Sequence, residues 1–297
     1  MKMIPEVKLK SGNKIPKLGL GTWLIGGTRE RDPNNDDESQ IKGIRCAIDH
    51  GIKFIRTAQN YAEGYCEEII ARAIEPYERE DLFITSCVNE HSAATSKTLL
   101  IQNALESLKR LKMDYFNLYL IGGVNKNVSI RDIAEGLMYL LEKGYTKDIG
   151  VSNYRLKELN LMDKYTHGKI VYDELHYNLV IREPEVFDIL SYCRKSKIIL
   201  CAYRPLQLGQ LAKSGIKLLE QMAKKYIKTE AQIALKWLIS KKGVITITKA
   251  LNPKHIKEDI DIFDWNMEKS DLKKLDKDFP IQLRLSDCTP PVRYFKE

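Results

Sequence analysis

The 297-residue sequence contains no apolar run approaching the length of about eighteen residues that a membrane-spanning helix needs, which excludes a membrane protein of that type. Its first residues, MKMIPEVKLKSGNK, lack both an apolar core and a cleavage-like site, so no export signal is expected and the reading is a cytoplasmic protein. The cysteines at 46, 66, 87, 193, 201 and 288 form no C-x-x-C pair, and no histidine stands at metal spacing from them. That pattern predicts free thiols in a reducing compartment, with no disulfide frame and no metal site. Also missing is a basic stripe interleaved with aromatics. The net charge is +8 and the pI about 9.0, but lysine and arginine are mixed with glutamate and aspartate along the whole chain. A lysine-rich solvated surface is the reading, and nucleic acid is not an expected partner. No Pro/Gly/Ser-rich linker or low-complexity segment divides the chain, so residues 1–297 read as one domain.

What the sequence does contain is an alternation. Short, almost wholly apolar runs at 17–21, 54–58, 82–88, 116–121, 148–151, 170–174, 198–203 and 244–248 read as strands covered on both faces. Helical patterns separate them at 40–50, 66–74, 97–111, 130–143, 155–165, 183–196, 214–226 and 229–240. Ser129 and Thr229 supply caps, and Gly144 stands just past one helix end. Eight strand–helix units with even spacing predict the α/β class, a single (β/α)8 TIM barrel; a doubly wound sheet is the alternative. The polar loop RERDPNNDDES after the first strand falls at the C-terminal face, where barrels build function. The tail, 264–297, carries a short helix at 269–275 and is expected to pack on the barrel.

One stretch does not fit a plain core. In KFIRTAQNYAEGYCEEIIARAI, residues 53–74, Arg56 sits in a buried strand with Tyr61 just after it. A buried guanidinium is costly unless an anion meets it.

GLGTWLIGG at 19–27, Thr57-Ala58 with Tyr61, DLFIT at 81–85, LYLI at 118–121, IGVSNY at 149–154, the AYxPL run at 202–206 and ITKALNPKHIKED at 247–259 together resemble the aldo-keto reductases. The order is preserved over roughly residues 17–259. The resemblance implies a barrel with a nicotinamide cofactor, NADP(H) ahead of NAD(H), across its C-terminal mouth. It also implies a tyrosine that protonates a carbonyl oxygen, a lysine that acidifies it, an aspartate paired with that lysine and a histidine that orients the carbonyl. Tyr61 matches the tyrosine. The other three positions are substituted: Arg56 stands in the aspartate slot, Cys87 in the lysine slot and Gly122 in the histidine slot. Two readings of Arg56 follow. One is drift at a site that lost its lysine. The other is a repurposed mouth in which Arg56 binds an anionic ligand or lowers the pKa of Tyr61. Cys87 reads as an apolar filler, although His91 in the next loop is near enough in sequence to raise a nucleophile reading.

By the same resemblance Gly21 and Thr22 line the cofactor site and Ser152 and Asn153 hold the carboxamide. Tyr203 stacks on the nicotinamide, Leu206 and Lys249 meet the phosphates, and Glu258 lies at the adenosine end. Departures are Glu174 for glutamine, Arg204 for a small polar residue, Thr248 and Ala250 for proline and serine, His255 for arginine, and Asp259 for asparagine. Each departure costs about 1–2 kcal/mol of matched hydrogen bonding or charge. Arg204 is expected to meet a phosphate or Glu174. His176 and His167 read as surface or packing residues, and Trp23 as a pocket wall or core residue. The expected protein is a monomer or weak homo-oligomer holding a small, possibly anionic ligand. Three functions stay open: a nucleotide-binding protein with little ordinary reductase activity, a reductase using Tyr61 with Arg56, or an enzyme of another class with an anionic substrate.

Overall fold

The computed structural model describes residues 3–89, 96–123, 128–213 and 215–288. A short antiparallel hairpin, β1 (Glu6–Lys8) and β2 (Lys14–Pro16), precedes the barrel; its short strands carry no strong period and are not among the strands expected from sequence. The eight barrel strands are β3 (Leu18–Gly21), β4 (Phe54–Arg56), β5 (Phe83–Asn89), β6 (Leu118–Gly122), β7 (Ile149–Ser152), β8 (Ile170–His176), β9 (Ile199–Tyr203) and β10 (Val244–Thr248). They are parallel and close in the order β10-β3-β4-β5-β6-β7-β8-β9. The expected (β/α)8 barrel is therefore the fold, and all eight expected strands are present.

Period-two alternation sorts each strand into an inward and an outward set. Phe54, Leu118, Leu120, Tyr172, Cys201, Ile245 and Ile247 form the interior cluster, which Leu9 and Ile15 of the hairpin join. Gly19 is needed on β3 because a Cβ there would stand 2.3 Å from the Phe54 ring that fills the interior. The outward residues, among them Ile55, Ile84 and Tyr119, pack under the helical shell in a second, larger cluster.

That shell is α1 (Asp37–Asp49), α2 (Tyr65–Ile74), α3 (Lys97–Leu111), α4 (Ile130–Glu142), α5 (Leu156–Tyr165), α6 (Glu183–Val186), α7 (Ile189–Lys195), α8 (Lys217–Tyr226) and α9 (Glu230–Ser240). Ser96, Ser129 and Thr229 cap α3, α4 and α9 by accepting from backbone N–H groups two or three residues into each helix. The single helix expected over 183–196 is two pieces. Asp188, with φ of 58°, breaks it in a left-handed conformation that the apolar pattern does not signal. A helix after the last strand, α10 (Pro253–Asp261), is not among the helices expected from sequence; Asn252 caps it and Pro253 takes its first position. The tail helix α11 (Lys269–Asp278) is longer than expected. Beyond it the chain lies extended along residues 180–182, where Leu283 accepts from the Arg182 N–H at 2.9 Å and donates to the Val180 carbonyl at 2.7 Å.

Candidate active site at the barrel mouth

Gly21, Arg56, Cys87, Gly122, Ser152, Glu174 and Tyr203 all lie at or near the C-terminal ends of barrel strands, and Thr22 and Lys249 follow directly. The structure brings them to one mouth. Because Phe54 points inward, Arg56 two residues on does so too, and Tyr172 and Glu174 follow the same rule. In an eight-strand ring, β4 and β8 face each other across the axis. Arg56 and Glu174 meet there. Arg56 Nε donates to Glu174 Oε2 at 2.9 Å, and Nη2 stands 2.6 Å from Oε1. Tyr172 donates its hydroxyl to Oε2 at 3.1 Å. Both partners are buried, Arg56 to 5% exposure and Glu174 to 2%.

Two of the open alternatives are not what the geometry shows. Arg56 does not reach for a ligand anion, since its guanidinium is engaged by Glu174 and Tyr61. Glu174 is not held by Arg204. Both Glu174 carboxylate oxygens accept from the protein, Oε2 from Arg56 and Tyr172 and Oε1 from Arg56. Sequence reasoning treated the two charges separately. The signal was that two opposite charges appear together at inward positions where one alone would be untenable.

Tyr61 stands over this pair. Arg56 Nη1 donates to its hydroxyl oxygen at 2.5 Å. The turn Tyr61–Gly64 is fixed by backbone hydrogen bonds from Ala62 and Glu63 to the Thr28 and Arg29 carbonyls, and by left-handed φ values at both residues. Trp23 packs edge-on against the Tyr61 ring at 4.9 Å, which makes it a wall of the mouth. Burial pushes the Tyr61 hydroxyl up to about 12; Arg56 opposes the rise, while Glu174, Cys87 and Cys66 add to it. Arg56 itself is pulled down by burial, yet Glu174 and then Tyr61 more than offset this and hold it charged.

Cys87 and Gly122 are neighbours across β5 and β6. A Cβ at 122 would lie 2.9 Å from Cys87 Sγ, so the small residue at one position follows from the sulfur at the other. The His91 reading lies outside the described residues.

On the far side, Tyr203 donates its hydroxyl to Asn153 Oδ1 at 2.8 Å, and Asn153 N–H donates to the Glu174 carbonyl. His176 stacks on Tyr203, ring centroids 5.4 Å apart and planes 20° off parallel. His176 is a packing residue, with Ser286 Oγ 2.9 Å from Nδ1 and Gln207 Oε1 2.8 Å from Nε2; His167 is on the surface. Arg204 donates to Cys288 Sγ at 2.7 Å and stands 3.8 Å from Asp287, both on the tail. His176, Asp287 and Cys288 have ligand atoms within 4.8 Å of one another, but a guanidinium already occupies the sulfur, where a cation would have to bind.

At the other end of the mouth Lys249 and His255 are exposed, Glu258 is half-buried and Asp259 is buried. Burial raises the Asp259 carboxyl to about 7, with Thr248 opposing and Glu258 assisting. Leu206 packs on the outer core. No helix among the described residues is long and apolar enough to cross a membrane.

A profile of the Aldo/keto reductase family matches residues 17–278. The glyoxal reductase of Bacillus subtilis is 32% identical over 272 residues, covering 91% of each chain. The methylglyoxal reductase YeaE of Escherichia coli is 28% identical over 271 residues, 90% of this chain and 92% of its own. Among solved structures, an aldo/keto reductase from Klebsiella pneumoniae in complex with NADP and acetate superposes with a TM-score of 0.83 at 27% identity, covering 95% of this chain and 98% of its own.

Proposed function

Because the chain belongs to the aldo/keto reductase family, we propose that it is an NADP(H)-linked carbonyl reductase in which Tyr61, held by Arg56 in place of a lysine, donates the proton. The observation that carries this reading is the 2.5 Å contact from Arg56 Nη1 to the Tyr61 oxygen. An arginine is a donor only, so the Tyr61 oxygen accepts from it and the hydroxyl proton is left to point elsewhere, into the mouth. That is the orientation a proton donor needs. When the proton leaves, the adjacent guanidinium stabilises the phenolate.

The phosphate and ring ends of the mouth fit the cofactor. Ser152 and Asn153 stand at the end of β7, Tyr203 presents a ring fixed by Asn153 and His176, and Lys249 supplies a cation, while Arg204 is held by the tail. Gly21 and Thr22 line the entry, and Thr22 is tied to the Arg56 carbonyl at 3.1 Å. The amide end is altered, since Glu174 is engaged elsewhere. A bound reduced nicotinamide would supply hydride to the carbonyl carbon. Tyr61 supplies the proton to the carbonyl oxygen and is reprotonated from solvent.

Relatives named for glyoxal and methylglyoxal suggest small aldehydes as the substrate class. Turnover is expected to be slow. A hydroxyl with a pKa of about 12 is a weaker acid than an ordinary tyrosine, and Gly122 offers no group to orient a carbonyl. The test is NADPH oxidation with methylglyoxal. Tyr61→Phe should lower kcat by about 100-fold or more while leaving NADPH affinity unchanged. A Tyr61→Phe protein that binds NADPH and reduces at the wild-type rate sinks the reading. A wild-type protein that binds NADPH and reduces nothing is a nucleotide-binding protein instead.

A further inference from the structure

We propose that Glu174 is a positioning residue for the proton donor: reaching across the barrel axis, it fixes the Arg56 guanidinium and thereby sets how acidic Tyr61 is. The inference rests on the reading of Tyr61 as the acid, and assigns to a β8 side chain a part in chemistry on the opposite wall.

The geometry carries it. Three contacts hold the guanidinium: Nε and Nη2 on the two Glu174 oxygens and Nη1 on Tyr61. A bidentate carboxylate fixes the plane of an arginine, not merely its position. With the plane fixed, Nη1 has one direction left, toward the Tyr61 oxygen. Tyr172, from the same strand as Glu174, donates to the carboxylate and fixes it in turn. The chain of contacts therefore runs Tyr172, Glu174, Arg56, Tyr61, with each donor–acceptor role determined.

The same contacts determine the electrostatics. Among the described residues, the groups that act most on Tyr61 are Arg56 and Glu174 in the pair, Cys87 on β5 and Cys66 on α2. The guanidinium is nearest and favours the phenolate. The carboxylate behind it is farther away but opposes, in a setting too buried for water to screen either charge. What reaches Tyr61 is the difference between them. An ordinary structural ion pair would neutralise Arg56 for the sake of folding and leave the tyrosine indifferent to which residue did so.

Titration of Tyr61 separates these cases and needs neither cofactor nor substrate. The phenol midpoint is read by NMR of ring-labelled tyrosine, with Tyr61→Phe used to assign the signal. In Glu174→Gln the positive charge is no longer opposed, and the midpoint should fall by about one pH unit or more. Glu174→Asp, which keeps the charge, should restore it to near the wild-type value. If Glu174→Gln fails to fold, the charge-neutral pair Arg56→Gln with Glu174→Gln replaces it. There the nearest favourable charge is also gone, so the midpoint should stand at or above the wild-type value. A midpoint unmoved in Glu174→Gln, or lowered in the double variant, overturns the proposal. Failure of the catalytic reading looks different: Tyr61→Phe would still reduce carbonyls, whatever the titrations show.

Discussion

A single buried carboxyl at residue 259 shows how a local change acts on the whole free energy. Asp259 is buried, and its carboxyl titrates at about 7 rather than 3.8. A group whose folded pKa is raised binds a proton more tightly in the native state. Its contribution is fully favourable below pH 3.8 and is lost progressively as pH rises to about 7. Above that the native state carries a buried charge. Asp259→Asn should therefore raise Tm more at pH 8 than at pH 5, because at pH 5 the aspartate is already neutral. Thermal melts at the two pH values check this, and an equal gain at both would show that the carboxyl is not the cause. The substitution restores the residue that the family resemblance places against adenine, so the gain in fold stability and any gain in nucleotide affinity should appear together above pH 7.

At the scale of elements, the pairing of β5 with β6 determines what those strands can carry. Gly122 and Cys87 are diagonal neighbours in that register, where Cys87 faces Leu120 and Gly122 faces Asn89, and the 2.9 Å separation between a Cβ at 122 and the sulfur leaves no room for both to be large. Gly122→Ala alone should destabilise by about 1–2 kcal/mol through overpacking, and Cys87→Ala combined with it should recover most of that. Urea denaturation of the two singles and the double gives the coupling; strict additivity would count against the contact. The strands themselves were legible because each is a nearly unbroken apolar run, which only burial on both faces explains. The bounds of helix α3 were legible, but its buried face was read only in part: Leu100, Ala104 and Leu108 are buried as expected, whereas Leu99 and Leu105 are exposed and Asn103 and Ser107 take the inner face. The break between α6 and α7 was not, since Asp188 is an ordinary polar residue whose left-handed conformation comes from tertiary packing. The hairpin β1–β2 escaped notice because two three-residue strands leave too little sequence for a period to show.

For the molecule as a whole, the decisive contact joins residues 118 apart in sequence, and only ring closure makes them neighbours. Sequence placed Arg56 and Glu174 in buried strands and Tyr61 in the loop after Arg56, without saying that the two charges point inward. It could not show that β4 and β8 stand opposite one another at matching height, so the readings of Arg56 (drift, an anionic ligand or Tyr61) and of Glu174 (an amide or Arg204) were left open and never joined to each other. The tail was similarly opaque. Ser286, Asp287 and Cys288 lie beyond any periodic segment, yet they reach His176 and Arg204. The Arg56–Glu174 pair also ties opposite walls of the barrel together above the apolar interior. Arg56→Ala should cost about 3–5 kcal/mol in urea denaturation by leaving Glu174 buried and unopposed, and a loss below about 1 kcal/mol would mean the walls do not depend on it. The same arithmetic applies to single substitutions within the pair. A change of Arg56 to aspartate would face one buried carboxylate with another, and a change of Glu174 to glutamine would strand a cation in the core. Neither single step is neutral, and Cys87 and Gly122 obstruct each other's enlargement. The buried pair thus constrains substitution at two distant positions as if they were one: Arg56 and Glu174 are expected to change together or not at all.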